Sequence, residues 1–243
     1  MIEIIKVSFN YKRLILPLAV IVSLTVFSFL MLKSAKNIKL DTASYALKPM
    51  PNVIIDAGHG GEDGGAVVNN VVEKDINLAI SRDTGDLLNF LGYKVTMSRT
   101  DDSSLSDDGE SIKKRKNNDM KARLKLFNSD KNNLIISIHQ NKFSNSSSHG
   151  TQVFYSPNNE KSKVLADCIK LSVKASLQPD NERESKAAGK GIYLLKNTTQ
   201  PAVIVECGFI SNKEECQLLL DQSYQKQMAL AIATGFLDYQ NTK

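Results

Sequence analysis

The sequence predicts a single α/β domain of three layers, a mostly parallel, mixed sheet of about six strands with helices on both faces, preceded by one N-terminal hydrophobic segment. Three observations carry this. The apolar runs Val53-Ile54-Ile55, Leu134-Ile135-Ile136-Ser137-Ile138 and Ala202-Val203-Ile204-Val205 have the length and β-branching of strands buried on both faces. Stretches with apolar residues at steps of three and four separate them, which is the strand, helix, strand rhythm of a helix-covered sheet. Polar groups stand directly after each run, at the sheet edge where open α/β folds bind ligands.

The N-terminus comes first in order. Leu14 to Leu32 is a nineteen-residue run without a charge, flanked by Lys12, Arg13 and Lys33, long enough to cross a hydrocarbon core as a helix. A small-x-small cleavage site is poor, because Ala35 would need a small residue at Lys33 and Ser34 one at Leu32, so an uncleaved membrane anchor is favoured over a signal peptide. Residues 1–36 are therefore read as anchor or signal, 37–51 as a polar linker closed by Pro49 and Pro51, and 52–243 as the folded domain. The net charge of +5 belongs to the same end. Of 31 basic and 26 acidic residues, the first forty hold six and one, leaving 25 of each for the domain. A neutral domain without tryptophan or a basic stripe gives no electrostatic reason to bind nucleic acid.

Within the domain, Val53 to Ile55 leads into a glycine-rich turn, Gly58-His59-Gly60-Gly61-Glu62-Asp63-Gly64-Gly65. A helix follows from Glu73, with Ile76, Ile80, Leu87 and Leu91 on one face and Gly92 as its stop, and Tyr93 to Ser98 reads as the second strand. Asp101 to Asn118 is dense in charge and reads as a solvated loop. Met120, Leu124 and Phe127 mark the next helix, and Leu134 to Ile138 the most buried strand, with His139-Gln140-Asn141 at its exit. Gly150 to Tyr155 is a strand, Asn158 to Leu177 a helix on Leu165, Ile169 and Val173, and Pro179 to Lys190 a polar loop. Gly191 to Leu195 and Ala202 to Val205 are two further strands, and Lys213 to Tyr239 a closing helix on Leu220, Tyr224, Met228 and Ile232. Cys168, Cys207 and Cys216 lack metal-ligand spacing; they read as small buried thiols, a Cys207–Cys216 bridge being the alternative.

The polar groups at strand exits are His59, His139 and Glu206, joined by Glu73 at a helix start. Two imidazoles and a carboxylate make a hydrolytic zinc set, and a fourth carboxylate has work beside it, since an attacking water needs a base. Taken singly, His59 can also be read as a turn residue, His139 as a core histidine, Glu73 as a helix N-terminal carboxylate and Glu206 as a surface residue. His149, among Ser146 to Gly150, reads as loop. Asp56 reads either as an acceptor that orients His59 or as a strand-end aspartate capping its own turn.

The strings Ile55 to Gly61, Glu73-Lys74, Ser98 to Asp101, Ser137 to Asn141 and Pro201 to Asn212 resemble, in order and along the whole domain, the signature blocks of the zinc-dependent N-acetylmuramoyl-L-alanine amidases of the Amidase_3 family. The resemblance implies that His59, Glu73 and His139 bind one Zn²⁺ per chain, that Glu206 is the catalytic glutamate, and that Arg123 is a structural arginine. It implies hydrolysis of the amide between N-acetylmuramic acid and L-alanine in peptidoglycan. Some relatives carry an apolar helical plug, and Asp101 to Asn118 is too polar to be one. Wall-binding repeats, which many relatives have, are expected to be absent. That combination resembles the spore-cortex amidase subgroup, which prepares muramic-δ-lactam formation, and places the enzyme on the outer face of the cytoplasmic membrane or in the forespore intermembrane space. It also raises the expectation of an accessory protein that helps complete the metal site. Two other readings share the pattern: a peptidoglycan-binding scaffold without turnover, and a zinc peptidase cutting within the stem peptide.

Overall fold

The computed structural model describes residues 22–29 and 50–242. Residues 22–29 form an exposed helix, and no described helix is long and apolar enough to cross a membrane. The rest of the expected Leu14 to Leu32 span and most of the 37–51 linker lie outside the described residues.

The domain is built on a six-stranded sheet. In chain order its strands are β1 (Asn52–Ala57), β4 (Lys94–Met97), β5 (Asn133–Asn141), β6 (Gln152–Tyr155), β7 (Lys186–Ala187) and β8 (Ala202–Phe209), arranged β4-β1-β5-β8-β6-β7. β4, β1, β5 and β8 are mutually parallel; β6 runs antiparallel to β8, and β7 follows β6 in parallel. Alternate residues of each central strand serve different layers, as a sheet buried on both faces requires. Val53, Ile55, Leu134, Ile136, Ile138, Val203 and Val205 face a larger core. That core is closed by helices α1 (Glu73–Phe90), α3 (Lys161–Ser176) and α6 (Gln222–Asn241). Ile54, Ile135 and Ile204 face a smaller core under α2 (Ile112–Phe127) and α4 (Tyr193–Asn197). Asp56, Ser137, His139 and Glu206 share the parity of this second face, so the polar site grows from its rim.

Five expectations are corrected. The sixth strand is not Gly191 to Leu195: that stretch lies in the turn and short helix at α4, which buries Leu194 and Leu195. Lys186–Ala187, inside the stretch expected to be loop, takes the edge instead. The charged stretch Asp101 to Asn118 is helical from Ile112, started by the Ser111 hydroxyl accepting from Lys114 N–H at 3.3 Å. The closing helix is broken: Asp221 is extended and caps α6 through Ser223 and Tyr224 N–H at 2.6 and 3.1 Å, leaving Lys213–Leu220 as a separate α5. Leu220, at the break, is exposed, while Met228 and Ile232 are buried. On α1, Ile76 and Ile80 are buried as expected, but Leu88 rather than Leu91 completes the face. All three cysteines are free, with Cys207 buried.

A hairpin not foreseen in the sequence follows the glycine loop. β2 (Val67–Val68) and β3 (Val71–Val72) pair antiparallel around Asn69 and Asn70, both at positive φ, the mirror-image turn that suits a two-residue hairpin. It turns the chain back so that α1 begins under the exit of β1.

Candidate metal centre

His59 stands two residues beyond β1 with φ +62°, a left-handed conformation in which histidine is tolerated better than most residues. Buried arginines hold that turn. The Arg99 guanidinium donates to the carbonyls of Ala57 (3.0 Å) and Gly58 (3.1 Å), and Arg123 to those of Ala57 (2.9 Å) and His59 (2.6 Å). Three consecutive carbonyls that leave the sheet thereby find donors away from water, as buried backbone demands. The glycines leave space for side chains: a Cβ on Gly58 would stand 2.3 Å from the His139 ring, and one on Gly65 would stand 2.5 Å from Glu73 Oε2.

Three side chains converge there. One donor atom each from His59, Glu73 and His139 lies within 4.8 Å of the others, a group that can hold a metal ion. Glu73 Oε1 is 3.3 Å from His59 Nε2 and 3.0 Å from His139 Nδ1, and the two rings meet edge to face at 4.9 Å. Glu73 is fixed by its own contacts: Oε2 accepts from Ala66 N–H at 2.8 Å, and Oε1 from Gln140 N–H at 3.1 Å. His59 Nδ1 lies 2.7 Å from Asp63 Oδ2, so a proton on Nδ1 is held by that carboxylate, and Nε2, which faces the cluster, offers a lone pair once its own proton has left. A carboxylate behind a ligating imidazole is the usual support of such sites.

Asp63 rather than Asp56 stands behind the His59 ring, which rules out one of the two readings open for Asp56, and the reason is physical. Asp56 is fully buried, accepts from Ser137 Oγ at 2.6 Å, and pairs closely with Arg123. Burial favours its neutral form, yet the Arg123 charge and the Ser137 and Ser98 hydroxyls hold its pKa below the usual carboxylate range. Arg123, 2% exposed, also reaches Asp119 at 2.7 Å. Arg123→Met should leave Asp56 as an uncompensated buried charge and cost about 3–5 kcal/mol. Urea unfolding measures it; a loss below about 1 kcal/mol, the scale of an exposed pair, would show that this pair does not hold the turn.

The charged stretch is solvent-exposed along most of its length, as expected, and its side chains also reach the glycine loop. Arg115 pairs with Glu62 at 2.6 Å, Lys116 with Asp63 at 2.7 Å, and Asp102 accepts from Lys74 Nζ at 2.6 Å and from Gly61 N–H at 3.0 Å. An acidic block followed by a basic one hid this in the sequence, since partners 28 to 53 residues away leave no local pattern.

Electrostatics favour positive charge at the cluster. Burial opposes protonation of His59, but hydrogen bonds and attraction from Asp63 and Glu73 outweigh it and raise its pKa to about 9. Burial likewise disfavours ionised Glu73, and the two imidazoles overcome this, holding it well below the carboxylate range. Glu206 is the opposite case. It lies level with His139 in the register, its Oε2 is enclosed without a hydrogen-bond partner among the described residues, and burial pushes its pKa to about 7 against the attraction of His139. A carboxylate poised near neutrality in a cleft is the profile of a general base. His59, His139 and Glu206 open into one cleft of about 210 Å³, walled by Met120 of α2 and Ile192 to Leu194 at α4. His149 is exposed and is not among the residues lining that cleft.

Fold and site together define an α/β domain with a His–Glu–His centre of metal-binding type and a raised carboxylate beside it. The chain belongs to the Amidase_3 family: residues 53–238 match the model for N-acetylmuramoyl-L-alanine amidase, and it is an enzyme of that class. The germination-specific N-acetylmuramoyl-L-alanine amidase of Bacillus subtilis (strain 168) is 36% identical over 188 residues, covering 77% of this chain and 78% of that protein. The CwlD amidase of Clostridioides difficile, solved in complex with the GerS lipoprotein, is 38% identical with a TM-score of 0.76, covering 79% of this chain and 100% of the solved one. The catalytic domain of CwlV from Bacillus (Paenibacillus) polymyxa var. colistinus is 30% identical with a TM-score of 0.65, covering 80% and 100%.

Proposed function

We propose that His59, Glu73 and His139 hold one Zn²⁺, that Glu206 is the catalytic base, and that the enzyme hydrolyses the amide joining the lactyl group of N-acetylmuramic acid to the L-alanine of the stem peptide. The observation that carries this is the pairing of a three-donor cluster with an unpartnered, raised carboxylate in one cleft. The donor set fits zinc: two imidazoles and a carboxylate are borderline N and O ligands, and one donor atom of each lies within 4.8 Å of the others. When bound, zinc supplies Lewis-acid polarisation of the lactyl carbonyl and lowers the pKa of water to about 7.

The chain's own residues do the rest. Glu206 takes the proton of the attacking water on its unpartnered oxygen and returns it to the alanine nitrogen as the C–N bond breaks. Asp63 keeps the His59 proton on Nδ1, and the arginine-held turn keeps His59 in place. A pKa near 7 lets Glu206 both accept and release the proton at neutral pH.

The relatives support a narrower setting. A germination-specific amidase and CwlD are among them, so we assign the enzyme to cortex peptidoglycan outside the cytoplasmic membrane, where removing the peptide prepares muramic-δ-lactam formation. That CwlD was solved with a lipoprotein supports an accessory protein partner. Stripping metal with a chelator should abolish cleavage of purified muropeptides, and zinc should restore it up to one equivalent per chain. Full activity in the stripped protein would refute the assignment.

A further inference from the structure

The sheet face that carries Glu206 continues onto the neighbouring strand. Gln152 stands opposite Glu206 and Phe154 opposite Ile204 in the β6–β8 ladder, so these residues continue the same face of the sheet. There a second hollow of about 260 Å³ opens, with Asn141, Gln152, Phe154, Phe209, Arg183 and Lys186 on its walls. Neither hollow alone reaches the roughly 300–1,000 Å³ typical of small-molecule sites, whereas the two side by side do.

Its charge is one-sided. The Arg183 guanidinium lies over the Phe209 ring at 4.7 Å, held by donation from Nε to His149 O at 2.7 Å. The acidic neighbours Glu182 and Glu184 are turned to Lys174 and Lys170 of α3, at 2.7 and 2.9 Å. Glu215 accepts from Gly150 and Phe209 N–H, both at 2.8 Å. Among the described residues, Arg183 and Lys186 form no ion pair, and both line the hollow. Two cations without an ion-pair partner among the described residues, of which Arg183 feels the Glu215 carboxylate at longer range, stand over an aromatic floor one strand from the reacting centre and favour an anion attached to the substrate. Of the substrate's two halves only the stem peptide carries free carboxylates.

We infer that this hollow is a specificity subsite in which Arg183 and Lys186 bind a carboxylate of the stem peptide beyond its first alanine, so that the peptide runs from Glu206 across β6 toward β7. The inference rests on the amidase reading. It is tested with the full chain on two matched muropeptides, one with free stem carboxylates and one with them amidated. The wild-type protein should favour the free acid roughly tenfold in kcat/KM, the scale of a hydrogen-bonded charge pair, chiefly through KM. R183Q/K186Q should bring that ratio near one, and K186E, which disturbs no side-chain contact seen here, should invert it. Binding of the released acidic peptide to wild type and K186E, followed by NMR, reads the subsite without turnover. Equal kcat/KM for both substrates in wild type, or an unchanged ratio and unchanged peptide binding in K186E, would overturn the subsite while leaving the amidase reading intact. Peptide binding lost in K186E without cleavage of either substrate by wild type would instead uphold the subsite and remove the amidase reading.

Discussion

Glu206→Gln should retain zinc at one per chain and lose about 10²–10⁴-fold in kcat, the contribution of a positioned proton shuttle. The amide of glutamine can neither take the water proton nor give it to the alanine nitrogen, yet it fills the same space level with His139. A second readout separates this from misfolding. The Glu206 pKa is raised by burial to about 7 from an ordinary 4.5, so the folded metal-free protein holds a proton there that the unfolded chain has released. Its stability must therefore fall as pH rises from about 4.5 through 7, by up to roughly 3 kcal/mol from this group. The glutamine variant lacks that loss, so in the presence of chelator it should be more stable than wild type at pH 8 and little different at pH 4.5. Undiminished turnover in the variant would remove Glu206 from the chemistry. A slower variant that is also less stable at pH 8 would point to a packing role.

Glu73→Ala should lose metal as well as activity. Glu73 Oε1 is the atom both imidazoles share, and removing it leaves two histidines without the anion that offsets the cation. The affinity for zinc should fall by more than about 100-fold, beyond the cost of losing an outer supporting residue. It also leaves the N–H groups of Ala66 and Gln140 without their acceptor, a structural loss of about 1–3 kcal/mol for each that is buried. Glu73→Gln, which keeps one acceptor oxygen and removes the charge, leaves only one of those two N–H groups without its acceptor. It should lose less stability than Glu73→Ala and still bind zinc poorly. One zinc per chain in either variant at micromolar free metal would end the assignment of Glu73 as a ligand.

The sheet was legible because its central strands are buried on both faces, and continuous isoleucine and valine runs are hard to read as anything else. Legibility failed at the edges. Lys186–Ala187 has no apolar pattern because only its backbone joins the sheet, and Gly191 to Leu195 looked like a strand only because its apolar residues could not be assigned to a turn and one short helix. The break at Asp221 and the Asn69-Asn70 hairpin were both written in local turn chemistry, an Asp-x-Ser cap and paired valines around two asparagines, and were overlooked beside the stronger helical period. At the site, His59, Glu73, His139 and Glu206 stood out by type and by position at strand exits, and the family resemblance gave them roles. Asp63 did not, although it lies four residues from His59, since nothing in the sequence shows which aspartate a left-handed turn brings under the ring. The clamp formed by Arg99 and Arg123 was equally hidden, because its targets are backbone carbonyls.

The most direct measurement is the mass and end-group analysis of muropeptides after incubation with the zinc-loaded protein. Hydrolysis at the predicted bond yields a glycan bearing a free lactyl carboxylate and a stem peptide whose only new amine is on L-alanine. A new amine further along the stem would make the enzyme a peptidase, and intact muropeptides with zinc bound and the fold preserved would make it a binding protein; either result contradicts the account.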